Sequence, residues 1–190
     1  MATIQIAQDA DADRVLSESP FALLVGMLLD QQFPMERAFA GPGKLVERLG
    51  SLDPATVAAM DPEEFAEACA RTPAVHRFPG SMAGRIQALA QQVVDDHDGD
   101  TTRIWTEASS GDDLLKRLQA LPGFGKQKAQ IFTALLAKQL DVRPDGWEEA
   151  AGDYALEGHR SVADVVDADS LVKVREFKQQ KKAAAKAGRG

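Results

Sequence analysis

Cysteine occurs once in the 190 residues, at Cys69, so no disulfide framework, zinc ribbon or Cys-ligated iron–sulfur cluster can be assembled within the chain. Alternating apolar and polar runs bounded by hairpin turns are missing too, which removes the signature of a sheet. The longest apolar run, Phe21 to Leu29, is far too short to cross a bilayer. The opening MATIQIAQDADADR carries acids where a secretory signal needs a basic region. DDHDGD at 95–100 departs from the EF-hand spacing and reads as a solvated acidic turn. The expectation is a cytoplasmic protein with no membrane partner, no metal and no cofactor.

What is present can fill a core. A hydrophobic share of 44% suits one compact domain, or two small lobes that share a core. The net charge of −7 is unevenly spread: residues 173–190 carry +6 and the remainder −13. An acidic body repels polyanions at long range, so contact with one would require local donors and help from the basic end.

Helix signals run along the whole chain. Phe21, Leu24, Val25 and Leu28 recur at helical spacing, as do Ile86, Leu89 and Val93, then Leu114, Leu115 and Leu118, then Ile131, Phe132, Leu135 and Leu136. Asp53-Pro54 and Asp61-Pro62-Glu63-Glu64 read as N-caps followed by Pro at N1, and Ser110 opens another helix. The spacing of Val162, Val165, Val166 and Leu171 predicts a helix over 161–177. Breaks are expected at GPG (41–43), PAVHRFPG (73–80), DDHDGD (95–100), LPGFG (121–125) and RPDG (143–146). The fold class is all-α, with a helical domain over 1–172 and a partly disordered basic tail over 173–190.

LPGFGKQKAQ, residues 121–130, is the stretch that bears on chemistry. Glycines at 123 and 125 let the backbone approach a phosphate, and the following helix N-terminus supplies amide donors whose dipole favours an anion. Helix hairpins also turn on glycine for steric reasons alone, and the turn by itself does not separate the two readings.

LPGFGKQKAQ, its helix and the Asp145 beyond it resemble the helix–hairpin–helix–GPD motif of the DNA glycosylase superfamily that includes endonuclease III. That motif reads roughly LPGVG-x-K-T-A, with a catalytic Asp 18 residues past the Lys. Here Gln127 takes the Lys position and Asp145 lies 18 residues on. PFALLVGMLLDQQ, residues 20–32, resembles the family helix PFELLIAVLLSAQ, whose closing Gln enters the DNA stack and aligns with Gln32. The DPEEFAEACAR and PGSMAGRIQALA segments fall where the family has helices.

The resemblance implies a two-lobed helical glycosylase fold with the helix–hairpin–helix at about 112–140. It implies a base excision repair enzyme that hydrolyses the N-glycosidic bond of a damaged or mispaired base flipped from double-stranded DNA. The protein would be a monomer, and nucleoid-associated if bacterial. Asp145 would be the catalytic carboxylate, stabilising oxocarbenium character and activating water. It would stay ionised if it begins the GWEEAAGDY helix; an Asp in Arg-Pro-Asp-Gly can equally serve as an ordinary turn and cap. Leu121, Pro122, Gly123, Phe124, Gly125, Lys126 and Gln127 would contact DNA, with Gln32 filling the gap left by the flipped base.

Gln127 in place of the Schiff-base lysine implies a monofunctional enzyme. Lys128 lies on the apolar side of its helix, where it either snorkels past the first turn or offers a displaced amine. A flipped base needs apolar walls, for which His76, Phe78, Trp105, Phe124 and Trp147 are candidates; Phe78 and Trp147 are expected at the pocket. Arg160 and Ser161 either cap the last helix or touch phosphate, and the basic tail is either a DNA arm or a solubilising end. Two departures stand out: Gly146-Trp147 follows Asp145 where the family usually has Thr-His, and the cluster cysteines are absent. A non-catalytic module for damaged DNA is the main rival, and a helical scaffold for protein partners is a more remote one.

Overall fold

A computed structural model describes residues 3–189; residues 1–2 and 190, at the outer edges of the two expected regions, lie outside it. Among the described residues the regular elements are all helical. They are α1 (Ala10–Glu18), α2 (Pro20–Leu29), α3 (Met35–Leu49), α4 (Pro54–Ala59), α5 (Pro62–Ala70), α6 (Pro79–His97), α7 (Arg103–Thr106), α8 (Gly111–Gln119), α9 (Lys126–Leu140), α10 (Trp147–Ala151) and α11 (Ala168–Ala187). Two 3-10 turns, Gly152–Ala155 and Val162–Asp164, lie between α10 and α11.

The expected caps form. Asp53 accepts from the Thr56 amide and Asp61 from those of Glu63 and Glu64, each placed before a Pro that needs no amide partner. Ser110 accepts from the Asp113 amide to open α8. These bonds satisfy amides that the first turn of a helix leaves free.

α2 is the centre of the molecule. Phe21 through Leu29 are all buried, as a helix without a polar face must be. It packs on α1 and α3 and touches α6, while α4 and α5 pack on α6. The hairpin of α8 and α9 forms the other side, with α10 laid across both. The turn between α8 and α9 presses on α2: a Cβ added at Gly123 would come within 2.4 Å of Leu28 Cδ1, and its φ of 79° is left-handed. Glycine is required there on both counts.

Two expected boundaries move. GPG does not break the chain, because α3 runs through Pro42. The glycines there serve close packing: a Cβ on Gly41 would lie 2.6 Å from Leu29 Cδ1, and one on Gly43 would lie 3.1 Å from Ala12 Cα. The segment expected as one helix over 161–177 is divided. Ser161 and Asp167 each accept from an amide ahead of them, so a 3-10 turn stops before α11 begins. From Ala168 the helix continues to Ala187, through most of the basic stretch.

Candidate functional site

A cleft of about 1040 Å³ opens where residues 30–35 link α2 to α3. The first turn of α9 forms a second wall through Gln127 and Lys128, and Tyr154 with α11 forms a third. Its volume is at the upper end for ligand clefts. Cations predominate: Arg77, Lys128, Arg160, Arg175, Lys178, Lys181 and Lys182 line it, against Asp30 as the one lining acid among the described residues. The basic end of the chain is therefore folded into the cleft. Arg175 pairs with Glu36 of α3 at 2.7 Å, Arg160 lies 5.9 Å from the Phe177 ring, and Lys181 lies 5.5 Å from that of Tyr154.

The segment after α2 is held from several directions. Lys128 Nζ donates to the carbonyl oxygens of Met27 (2.7 Å), Leu28 (3.1 Å) and Asp30 (3.3 Å). The carbonyls at a helix C-terminus carry a partial negative charge that a lysine satisfies; here the Met27 carbonyl also accepts from the Asp30 amide and the Leu28 carbonyl from Gln31 Nε2. Burial still pushes the amine down to about 8. His76 accepts the Phe78 amide on Nδ1, so its Nε2 carries the proton and donates to the Gln31 carbonyl at 2.8 Å. Arg85 donates to Gln31 Oε1 at 3.1 Å.

This bracing leaves Gln32 in a left-handed conformation, φ 52°, with its side chain exposed at the cleft and without a protein hydrogen bond among the described residues. A non-glycine residue in that region is strained unless its surroundings hold it there.

In LPGFG, Leu121 and Phe124 are buried in the core, so only their backbone faces outward. Gly123, Gly125, Lys126 and Gln127 are exposed and Pro122 half-buried. Gly125 caps α9 without any side-chain bond, leaving the first amides of a 15-residue helix open to an anion. Gln127 Nε2 donates to the Tyr154 hydroxyl at 2.9 Å.

Asp145 is elsewhere. Its carbonyl accepts from the Gly111 amide at 2.7 Å, at the start of α8. α8 is nine residues long, so about 13 Å of helix separates that end from the LPGFG turn. The 18-residue spacing does not bring Asp145 back, because α9 stays helical to Leu140 and only residues 141–144 remain. Nor does Asp145 begin the next helix: Gly146, φ 79°, is its N-cap, and the Asp145 side chain makes no hydrogen bond or ion pair among the described residues. Trp147, half-buried beside it, packs on the core away from the cleft. Phe78 is 45% exposed beside His76, its ring covered by Arg77 at 5.2 Å, and does not line the cleft. Trp105 and Phe124 pack on Phe132 in the core.

Asp30 and Tyr154 escape a reading from sequence. The trace of Asp30 there is an acid closing a nine-residue apolar run, where the family helix PFELLIAVLLSAQ has Ser. Burial raises its carboxyl above the ordinary range, with Lys178 and Lys128 opposing. Tyr154 carries no such signal. No described helix is long and apolar enough to cross a membrane.

Residues 25–187 match the family model described as HhH-GPD superfamily base excision DNA repair protein. Neither a curated protein nor a solved structure matches the chain.

Proposed function

The chain belongs to the HhH-GPD superfamily of base excision DNA repair proteins, and on that premise we propose that it is a monofunctional DNA N-glycosylase. It binds duplex DNA carrying a damaged or mispaired base, accepts the flipped nucleotide in the cleft and hydrolyses its glycosidic bond. The observation that carries this reading is the convergence on one cationic cleft of the open α9 N-terminus, the braced Gln32 and the basic face of α11.

Each part has a physical role. The amides after Gly125 and the Lys126 ammonium hold a phosphate, a contact independent of base sequence. Gln32, fixed before DNA arrives, takes the space of the extruded nucleotide. Arg175, Lys178, Lys181 and Lys182 add a second line of phosphate contacts and offset the acidic body. Gln127 is an amide bonded to Tyr154, so it has no amine to form a Schiff base. Lys128 donates to three carbonyls, and that use opposes a nucleophilic role.

The position of Asp145 favours a second reading, a module that binds damaged DNA without turnover. Duplexes carrying uracil, alkylated or oxidised bases separate the two. Free base released without strand scission, and without a borohydride-trapped adduct, supports the glycosylase. Binding to every duplex with release from none supports the module.

A further inference from the structure

Hydrolysis of a glycosidic bond needs an anion beside the anomeric carbon, and Asp145 is not in the cleft. We propose that Asp30 is the catalytic carboxylate of this protein, acting on the sugar of a nucleotide lodged between the α2 end and the first turn of α9. The proposal rests on the glycosylase reading above and concerns which group performs its chemistry.

Geometry carries it. Asp30 is the one carboxylate lining the cleft among the described residues, and its side chain takes part in no hydrogen bond or ion pair there. Most other described acids in comparable settings are already engaged: Asp164 pairs with Lys138, Asp113 with Arg117, and Glu36 with Arg175 through Oε1, although Glu36 Oε2 is buried without a partner among the described residues and Glu36 does not line the cleft. Asp30 is two residues from Gln32, whose insertion would leave the flipped sugar beside it. Its main chain is fixed by Lys128, so the carboxylate has a defined origin rather than a mobile loop. The charges around it come from three elements: Lys128 on α9, Lys178 on α11 and Glu36 on α3. A half-buried carboxylate with a raised proton affinity is a better base than an exposed one.

The step balances without a cofactor. The glycosidic C1′–N bond breaks with its electron pair leaving on the base, while the oxygen of water bonds to C1′. Asp30 takes the proton released by that water and stabilises the positive charge that develops on the sugar. The departing base then takes the proton from Asp30, which regenerates the carboxylate.

The test is single-turnover base release by Asp30→Asn and Asp145→Asn on the duplex that the wild-type protein processes. Affinity for the same duplex bearing an uncleavable abasic analogue, and the thermal midpoint, are measured in parallel. Asp30→Asn is expected to slow release by about 100-fold or more, the usual range for a missing general base, with affinity and midpoint retained. Asp145→Asn is expected to stay close to the wild-type rate.

Release retained in Asp30→Asn overturns the inference, as does a large loss in Asp145→Asn alone. Should Asp30→Asn lose affinity or fold, Asp30→Ser, the residue of the family helix, decides: release retained overturns the inference, and release lost in a folded, DNA-binding protein supports it. A wild-type protein that binds but releases no base from any duplex overturns the glycosylase reading itself, and the inference with it.

Discussion

Lys128 spans from α9 to α2, with its Nζ 2.7 Å from the carbonyl oxygen of Met27. One side chain thereby joins the helix whose first amides are open and the segment that presents Gln32 and Asp30. Lys128→Met would leave the Asp30 carbonyl without a donor among the described residues, while those of Met27 and Leu28 keep the Asp30 amide and Gln31 Nε2. The expected destabilisation is about 1–3 kcal/mol, read from urea unfolding. An unchanged midpoint would show that Lys128 does not hold the two helices together.

The same lysine makes a pH prediction. Its amine lies at about 8 against an ordinary 10.5. Between these values the unfolded chain binds a proton that the native one does not, so its contribution to stability rises with pH. Below pH 8 both states hold the proton and the contribution is flat. The stability difference between wild type and Lys128→Met should therefore be constant from pH 6 to about 7.5 and change in favour of the wild type above about 8. A flat difference up to pH 10 would sink the assignment.

Gly123 and Gly125 should separate fold from contact. Gly123→Ala places a Cβ against Leu28 at a φ of 79°, and the left-handed backbone alone costs about 1–2 kcal/mol. Gly125 has a φ of −78° and open space around it, so Gly125→Ala meets no clash and should cost only the N-cap preference of glycine over alanine, about 1 kcal/mol or less, while weakening DNA binding by crowding the phosphate. Equal affinity for the Gly125 variant would argue against backbone contact at this turn.

Charge on α11 can be counted by salt. Replacing Lys178, Lys181 and Lys182 together by Gln should reduce the slope of log affinity against log salt by about 2–3, since each phosphate contact contributes roughly 0.9. An unchanged slope would mean that this wall of the cleft stays away from the backbone.

Gln127→Lys restores an amine at the position where the resembling lyases carry theirs. It is expected to yield a borohydride-trapped adduct with an abasic duplex that the wild-type protein does not form. Absence of trapping in a folded variant would place residue 127 out of reach of the sugar.

Local chemistry was legible in the sequence and distant geometry was not. Asp53, Asp61 and Ser110 cap helices through bonds to amides two or three residues ahead, so a short window contains the whole cause. The GPG stretch stays helical because Leu29 and Ala12 pack against it, and no local rule contains those neighbours. The 18 residues from Gln127 to Asp145 count positions along the chain rather than distance. Helix uses only about 1.5 Å per residue, and where α9 stops decides where Asp145 lies. Asp30 acquires its setting from Lys128, 98 residues away, and from Lys178 on α11. A lone acid at the end of an apolar run says nothing of either.

The folding of the basic end into the cleft gives the molecule a direction. Negative charge is spread over the body and positive charge is gathered at one mouth, which makes the whole protein an electric dipole in the field of a polyanion. On the proposed reading, DNA approaching from behind would be turned away and DNA approaching the mouth drawn in, which orients encounters before any atom touches. Because such sorting acts over a Debye length of about 10 Å at 0.1 M salt, the proposed glycosylase would meet duplex DNA with its cleft already facing the strand.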